Sequence, residues 1–188
     1  QKGALYQIGD VETFQDSDGD GVGDLEGVRQ HMDDLGALKV KGLVIGPIHA
    51  TEADRWDRTF LTEVDQRYGT LENFQQLLET ARKKSILIIL DLTPNYKGED
   101  PWFNATIAEG ALHSSVKEAL NFWLEKGVAG IRLGGIDQLQ GLDVLEEWKN
   151  VTDSHSTDGK NRVLFAVTDN ADKMKVLEQL NHTSSEFL

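Results

Sequence analysis

The chain has 188 residues, and 19 Lys and Arg stand against 32 Asp and Glu, a formal net charge of −13. That balance argues against a nucleic-acid partner, which needs cations to displace phosphate counterions, and against an electrostatic hold on anionic lipid. With no cysteine, disulfides, thiolate catalysis and thiolate zinc sites are excluded within the chain, so any metal must be held by oxygen or imidazole.

Short β-type runs begin at 4–8 and recur at 42–48, 86–92, 130–133 and 163–167. Each is followed by a helical pattern, in turn 25–38, 71–84, 112–126, 142–148 and 173–180. Leu71, Phe74, Leu77, Leu78 and Ala81 repeat with the 3.6 period of an amphipathic helix, as do Val116, Ala119, Leu120, Trp123 and Leu124. The run Ile86-Leu87-Ile88-Ile89-Leu90 is apolar without alternation, as a parallel strand covered on both faces requires. Alternating strands and helices predict a parallel α/β fold. The repeat itself leaves open whether the sheet is doubly wound or part of a barrel. A complete eight-unit barrel needs about 250 residues, so a barrel reading makes residues 1–188 one partial domain of about five βα units. No apolar run approaches the roughly 20 residues that cross a bilayer. No basic segment followed by an apolar one opens the chain, so neither an anchor nor a signal peptide is expected within it.

Between Asp10 and Asp34 lie nine acids and a single base, Arg29. The densest part is Asp16-Ser-Asp18-Gly-Asp20-Gly-Val22-Gly-Asp24. Carboxylates at alternate positions, separated by glycines that tolerate positive φ, let a short loop turn its oxygens toward one point. Crowded hard oxygen ligands suit Ca²⁺ better than Mg²⁺, which keeps several waters. The first half of an EF-hand is matched, but the twelfth position is Gly27 instead of a bidentate Glu, which argues against that motif.

Phe14-Gln-Asp-Ser-Asp-Gly-Asp-Gly-Val-Gly-Asp-Leu-Glu-Gly27 closely resembles the calcium loop after the first strand in the α-glucosidase branch of the α-amylase superfamily. The resemblance implies a (β/α)₈ barrel, with Ca²⁺ ligands at Asp16, Asp18, Asp20 and Asp24 and the carbonyl of Val22. Other landmarks follow in order. The third-strand motif, Asp followed by Asn-His, stands here as Asp91-Leu-Thr-Pro-Asn95-Tyr96, so the substrate-contacting His is Tyr96. The motif whose Asp is the nucleophile, Gly-Phe-Arg-x-Asp, stands as Gly130-Ile-Arg132-Leu-Gly134. Thr168 occupies the general-acid position, and Gly9 replaces the first-strand Tyr that would stack on a sugar. A retaining glycosidase needs two carboxyl groups about 5 to 5.5 Å apart. Neither is present, and Asp137 and Asp169 are displaced by one to three positions from the places required. No hydrolase activity is expected.

Leu38-Lys-Val-Lys-Gly-Leu-Val-Ile-Gly-Pro-Ile-His49, Leu90-Asp-Leu-Thr-Pro-Asn-Tyr96 and Ala119-Leu-Asn-Phe-Trp-Leu124 narrow the resemblance to the 4F2-type heavy subunits of heteromeric amino-acid transporters. The short stretch after Tyr96 leaves no room for a separate B domain. This resemblance implies a non-catalytic ectodomain on the extracellular side of the plasma membrane that chaperones and docks a light-chain amino-acid transporter. The membrane anchor, and the Cys that forms the disulfide to the light chain, would lie outside this chain. The intact calcium loop is a departure from that type. A glycan-active or glycan-binding α-glucosidase-like protein is the alternative.

Three Asn-x-Thr sequons, at Asn104, Asn150 and Asn181, exceed the roughly one that chance provides and favour a secretory route. All three are expected in loops or at helix ends. Trp123 and Trp148 fall on helix stripes and are expected in the core, whereas Trp56 and Trp102 lie in loops and suit either a core or a sugar-stacking role. The five histidines show no metal-binding spacing. Asp91 and Arg132 are expected to form a residual ion pair.

Overall fold

The computed structural model describes residues 4–8, 23–52, 55–98, 100–102, 109–139 and 143–168. Five parallel strands form one sheet: β1 (Ala4–Ile8), β2 (Val40–Ile45), β5 (Leu87–Asp91), β6 (Gly130–Leu133) and β7 (Val163–Ala166). Their order in the sheet, β1-β2-β5-β6-β7, is their order along the chain, and every neighbouring pair is parallel. A doubly wound sheet reverses its order at a switch point. None occurs among these five strands, so right-handed crossovers place each new strand on the same side of the last, as in a (β/α)₈ barrel.

The two faces of the sheet confirm the winding. Ile88, Leu90, Leu92, Ile131, Leu133, Leu164 and Ala166 belong to one large apolar cluster with helix residues such as Phe74, Leu77, Val116, Leu120 and Trp148. The alternate residues Val44, Ile89, Val163, Phe165 and Val167 form a separate cluster made only of residues from the strands and their ends. Period-two alternation thus sends one set outward to the helices and the other into the barrel interior.

Local chemistry fixes the helices. Asp24 caps α1 (Leu25–Gln30), its Oδ1 accepting from the Gly27 amide at 2.7 Å. Thr70 and Asn73 form a reciprocal capping box at the start of α3 (Leu71–Lys83). The 25–38 pattern is two helices, α1 and α2 (Met32–Ala37), separated at His31. α4 (Glu109–Lys126) starts earlier than the apolar stripe indicates, and α5 (Asp143–Ser154) runs six residues beyond Trp148. The pattern at 173–180 lies outside the described residues.

Between β2 and α3 the chain makes an antiparallel pair that the periodicity does not announce, β3 (His49–Glu52) and β4 (Arg55–Val64). Asp65 N–H to Ile48 O at 2.8 Å closes the base of the pair, and Leu25 N–H to Tyr68 O at 2.9 Å and Trp123 Nε1–H to Leu61 O at 2.7 Å tie this segment to the helices of the barrel.

Candidate functional site

In a barrel of this kind chemistry belongs at the C-terminal ends of the strands. There, Asp91 and Arg132 are direct neighbours in the β5–β6 register. Arg132 Nη1 donates to Asp91 Oδ2 at 2.5 Å, with the carboxylate side chain only 6% and the guanidinium 23% exposed. The expected ion pair therefore forms, largely shielded from water.

The other carboxylate oxygen is also occupied. Asp91 Oδ1 accepts from Thr93 N–H at 2.9 Å and Thr93 Oγ1–H at 2.6 Å. Thr93 Oγ1 in turn accepts from the Gly134 amide at 2.8 Å, and Trp102 Nε1 donates to the Gly134 carbonyl at 2.7 Å. Gly134, where the resemblance expects a nucleophilic Asp, is thus held on both sides of its backbone. A Cβ built on it would stand 3.1 Å from Arg132 Nη1 and 3.2 Å from Thr93 Oγ1, closer than side chains normally pack. A side chain here would require Arg132 and Thr93, both held by Asp91, to give by a few tenths of an ångström.

Trp102 is buried and stacks on Trp148 with ring centroids 5.7 Å apart, so of its two expected roles the structure shows the core one. Trp123 and Trp148 are fully buried, as their stripes predict. The side chain of Trp56 lies outside the described residues. Tyr96, at the position of the family's substrate-contacting His, donates its hydroxyl to the carbonyl of His49 at 3.0 Å, and the two rings meet edge to face at 5.0 Å. His49 is wholly buried, and its desolvation outweighs the opposing pull of the Thr93 backbone and of the Asp65 charge. Burial pushes its imidazole down to about 3, which keeps it neutral. Asn95, at φ 42°, receives its own anchor where its amide donates to Thr59 Oγ1 of β4 at 3.3 Å.

Asp137 sits in a 3₁₀ turn, Ile136–Gln138, entered through Gly135 at φ 65°, and its side chain is exposed. Thr168 is half-buried just after β7, and Asp169 lies outside the described residues. Of the expected calcium ligands, Asp16, Asp18, Asp20 and Val22 also lie outside them. Asp24 is buried as the cap of α1. The donor set fits a hard cation: four carboxylates and one carbonyl within nine residues, without a soft ligand. Among the described residues no other group of three or more acids or histidines could hold a metal ion. No helix among them is long and apolar enough to cross a membrane.

Asn150 is exposed on the surface of α5 instead of in a loop or at a helix end, with Ser154 the last helical residue. The Thr152 of its sequon is buried, its hydroxyl donating to the Trp148 carbonyl at 2.9 Å. Asn104 and Asn181 lie outside the described residues. The roles of Thr93 and Trp102 have no signature in sequence, since Trp102 meets Gly134 across 32 positions. Only the Thr placed two residues after a strand-end Asp, an arrangement suited to a side-chain turn, could have pointed to Thr93.

Known proteins resemble the chain in sequence and in fold. The alpha-amylase family (alpha amylase, catalytic domain) matches residues 11–111. The chain is 44% identical over all 188 residues to the amino acid transporter heavy chain SLC3A2 of Oryctolagus cuniculus, of which it covers 34%. Over 110 residues it is 37% identical to the trehalose-6-phosphate hydrolase of Escherichia coli strain K12, covering 57% of this chain and 20% of that one. Among solved structures, Amy13B of Eubacterium rectale superimposes with a TM-score of 0.69 at 20% identity, over 85% of this chain and 43% of that chain. The chain spans about a third of the length of the heavy chains it matches. By sequence and by winding alike, it belongs to the alpha-amylase family.

Proposed function

We propose that these residues are part of the non-catalytic ectodomain of a heavy subunit of a heteromeric amino-acid transporter. In this reading the ectodomain stands on the extracellular side of the plasma membrane. It chaperones and docks a light-chain amino-acid transporter, which is joined by a disulfide from a Cys outside this chain. The carrying observation is the reach of the similarity: 44% identity extends over the whole chain for SLC3A2 of Oryctolagus cuniculus, against 57% of the chain for the trehalose-6-phosphate hydrolase of Escherichia coli. The bonded state of Gly134 supports the absence of chemistry. A glycosidase must aim two carboxyl groups at one bond with little tolerance for misplacement, and Gly134 and Thr168 offer none. The connection from Asp91 to α4 is short, which supports a barrel without a B domain.

On this reading Ca²⁺ held by Asp16, Asp18, Asp20, Val22 and Asp24 is structural, and Asn104, Asn150 and Asn181 carry glycans. The test is co-purification of a full-length form from cells, with identification of the bound membrane protein. Recovery of an amino-acid transporter, sensitive to reductant on a gel, is the expected result. Turnover of α-glucosides by the purified chain would favour the α-glucosidase-like alternative.

A further inference from the structure

At the opposite end of the strands from Asp91 and Arg132, a cleft of about 480 Å³ opens beside the first residues of β5 and the segments leading into β6 and β7. Its volume lies within the range of small-molecule sites, about 300 to 1,000 Å³. In a chain of net charge −13 its lining is inverted: Arg82, Lys126, Lys160 and Arg162 against the single acid Glu79. Arg82 is satisfied by Glu79, at 2.7 Å. Among the described residues Lys126 makes a ring contact, its Nζ 5.1 Å from the Phe122 centroid. Among the described residues neither Lys126, Lys160 nor Arg162 makes an ion pair.

Arg162 is the least comfortable of the three. Its Nε is buried without a hydrogen-bond partner, and burial holds the guanidinium below its ordinary value. Desolvating a charged donor without an acceptor is unfavourable, and an anion that accepts from it removes the penalty. The remaining wall is apolar, from Leu78, Ile86 and Leu87, and Leu87 is 40% exposed.

We propose that this cleft binds a small soluble organic anion, an apolar or aromatic body bearing a phosphate or sulfate group. Arg162, Lys160 and Lys126 hold the anionic group, and Leu78 and Leu87 cover the body. The planar guanidinium fork of Arg162 matches two oxygens of such a group. The site is independent of the Asp91–Arg132 network and of the transporter reading.

The probe is 1-naphthyl phosphate, titrated calorimetrically into the intact chain, with 1-naphthol and inorganic phosphate as the two halves. Saturable one-site binding that weakens as salt rises is expected, with each half binding roughly tenfold more weakly or worse. Arg162→Gln should weaken binding by roughly tenfold. If that variant fails to fold, Lys160→Gln and Leu87→Asp, both at exposed positions, should each weaken it several-fold with an unchanged melting curve. Absence of saturable binding at millimolar probe overturns the proposal, as does equal affinity in the folded variants and the parent. Inorganic phosphate binding as tightly as the naphthyl ester removes the apolar half. Displacement of the probe by phosphatidic acid vesicles assigns the cleft to a membrane surface and overturns a soluble ligand.

Discussion

The indole N–H of Trp102 and the carbonyl oxygen of Gly134 meet at 2.7 Å, fastening the loop before α4 to the end of β6. The amide of the same glycine donates to Thr93 Oγ1, so Gly134 is pinned from β5 and from Trp102 together.

Gly134→Asp should therefore destabilise the chain instead of restoring hydrolysis. Its Cβ would press on Arg132 Nη1 and Thr93 Oγ1 at 3.1 and 3.2 Å, and overpacking of this kind costs about 1 to 3 kcal/mol. A melt should show the loss, and an α-glucoside assay should stay at the buffer blank because Thr168 cannot protonate a leaving oxygen. A stable variant with turnover would refute both statements.

Asp91→Asn keeps the shape of the side chain but leaves Arg132 without its counter-charge. Removing one partner of a shielded pair costs about 3 kcal/mol. The Arg132→Leu, Asp91→Leu double variant should be less destabilised than the sum of its singles, as measured by urea unfolding.

His49 makes stability depend on acid. Its folded imidazole titrates near about 3, whereas in the unfolded chain it titrates near 6.5. Above pH 6.5 both states are neutral and the residue adds no pH dependence. Below it the unfolded state takes up the proton first, so stability falls as pH drops toward 3, by up to about 1.4 kcal/mol per pH unit. Unfolding free energies between pH 6.5 and about 5.5, above the main carboxylate range, should show a steeper slope in the parent than in His49→Phe. An identical slope in the two proteins would discard the assignment.

Calcium should raise the melting midpoint, since binding to the folded state alone adds about 2.7 kcal/mol at a hundredfold excess over Kd. Asp18→Ala with Asp20→Ala should abolish the response to Ca²⁺ while leaving the chelated midpoint near that of the parent. Asp24→Ala should also lower the chelated midpoint, because Asp24 caps α1 and loss of a cap costs about 1 kcal/mol. A parent midpoint indifferent to Ca²⁺ would dismiss a structural metal.

Glycans are expected at Asn104, Asn150 and Asn181 in material made through the secretory pathway, as read by peptide mass spectrometry. Asn150 is the sharpest case. Its side chain is exposed on α5, but the Thr152 hydroxyl is bonded into the core, so modification must precede folding of that helix. Protein refolded from bacteria and offered to the oligosaccharyltransferase should remain unmodified at Asn150.

The parallel sheet is legible in sequence because strands buried on both faces have continuous apolar runs, and β5 and β7 agree with those runs to within one residue. The winding was not legible in the strand–helix repeat, since it resides in which strands pair, and only the resemblance of residues 14–27 to a family loop implied the barrel. The β3–β4 hairpin escaped because Thr51, Glu52, Thr59, Thr62 and Glu63 give it no apolar face of its own, and its register is broken twice. At the candidate site, Asp91 and Arg132 were readable as strand-end neighbours. The stitching of Gly134 by Thr93 and Trp102 was not, because it depends on contacts across 41 and 32 positions. The cations of the lower cleft were hidden for the same reason, being drawn from the ends of separate elements.

Because the order of the strands in the sheet repeats their order in the chain, the sheet can be laid down as the ribosome delivers it. β2 needs only β1, β5 needs only β2, and no strand has to be inserted between two that are already paired. Each addition closes a loop of one βα unit, so the closure entropy is met in small instalments. The growing edge at every stage is a single strand that the next segment to emerge covers, so among these five strands only the outer edge of β1 stays open to wrong partners throughout.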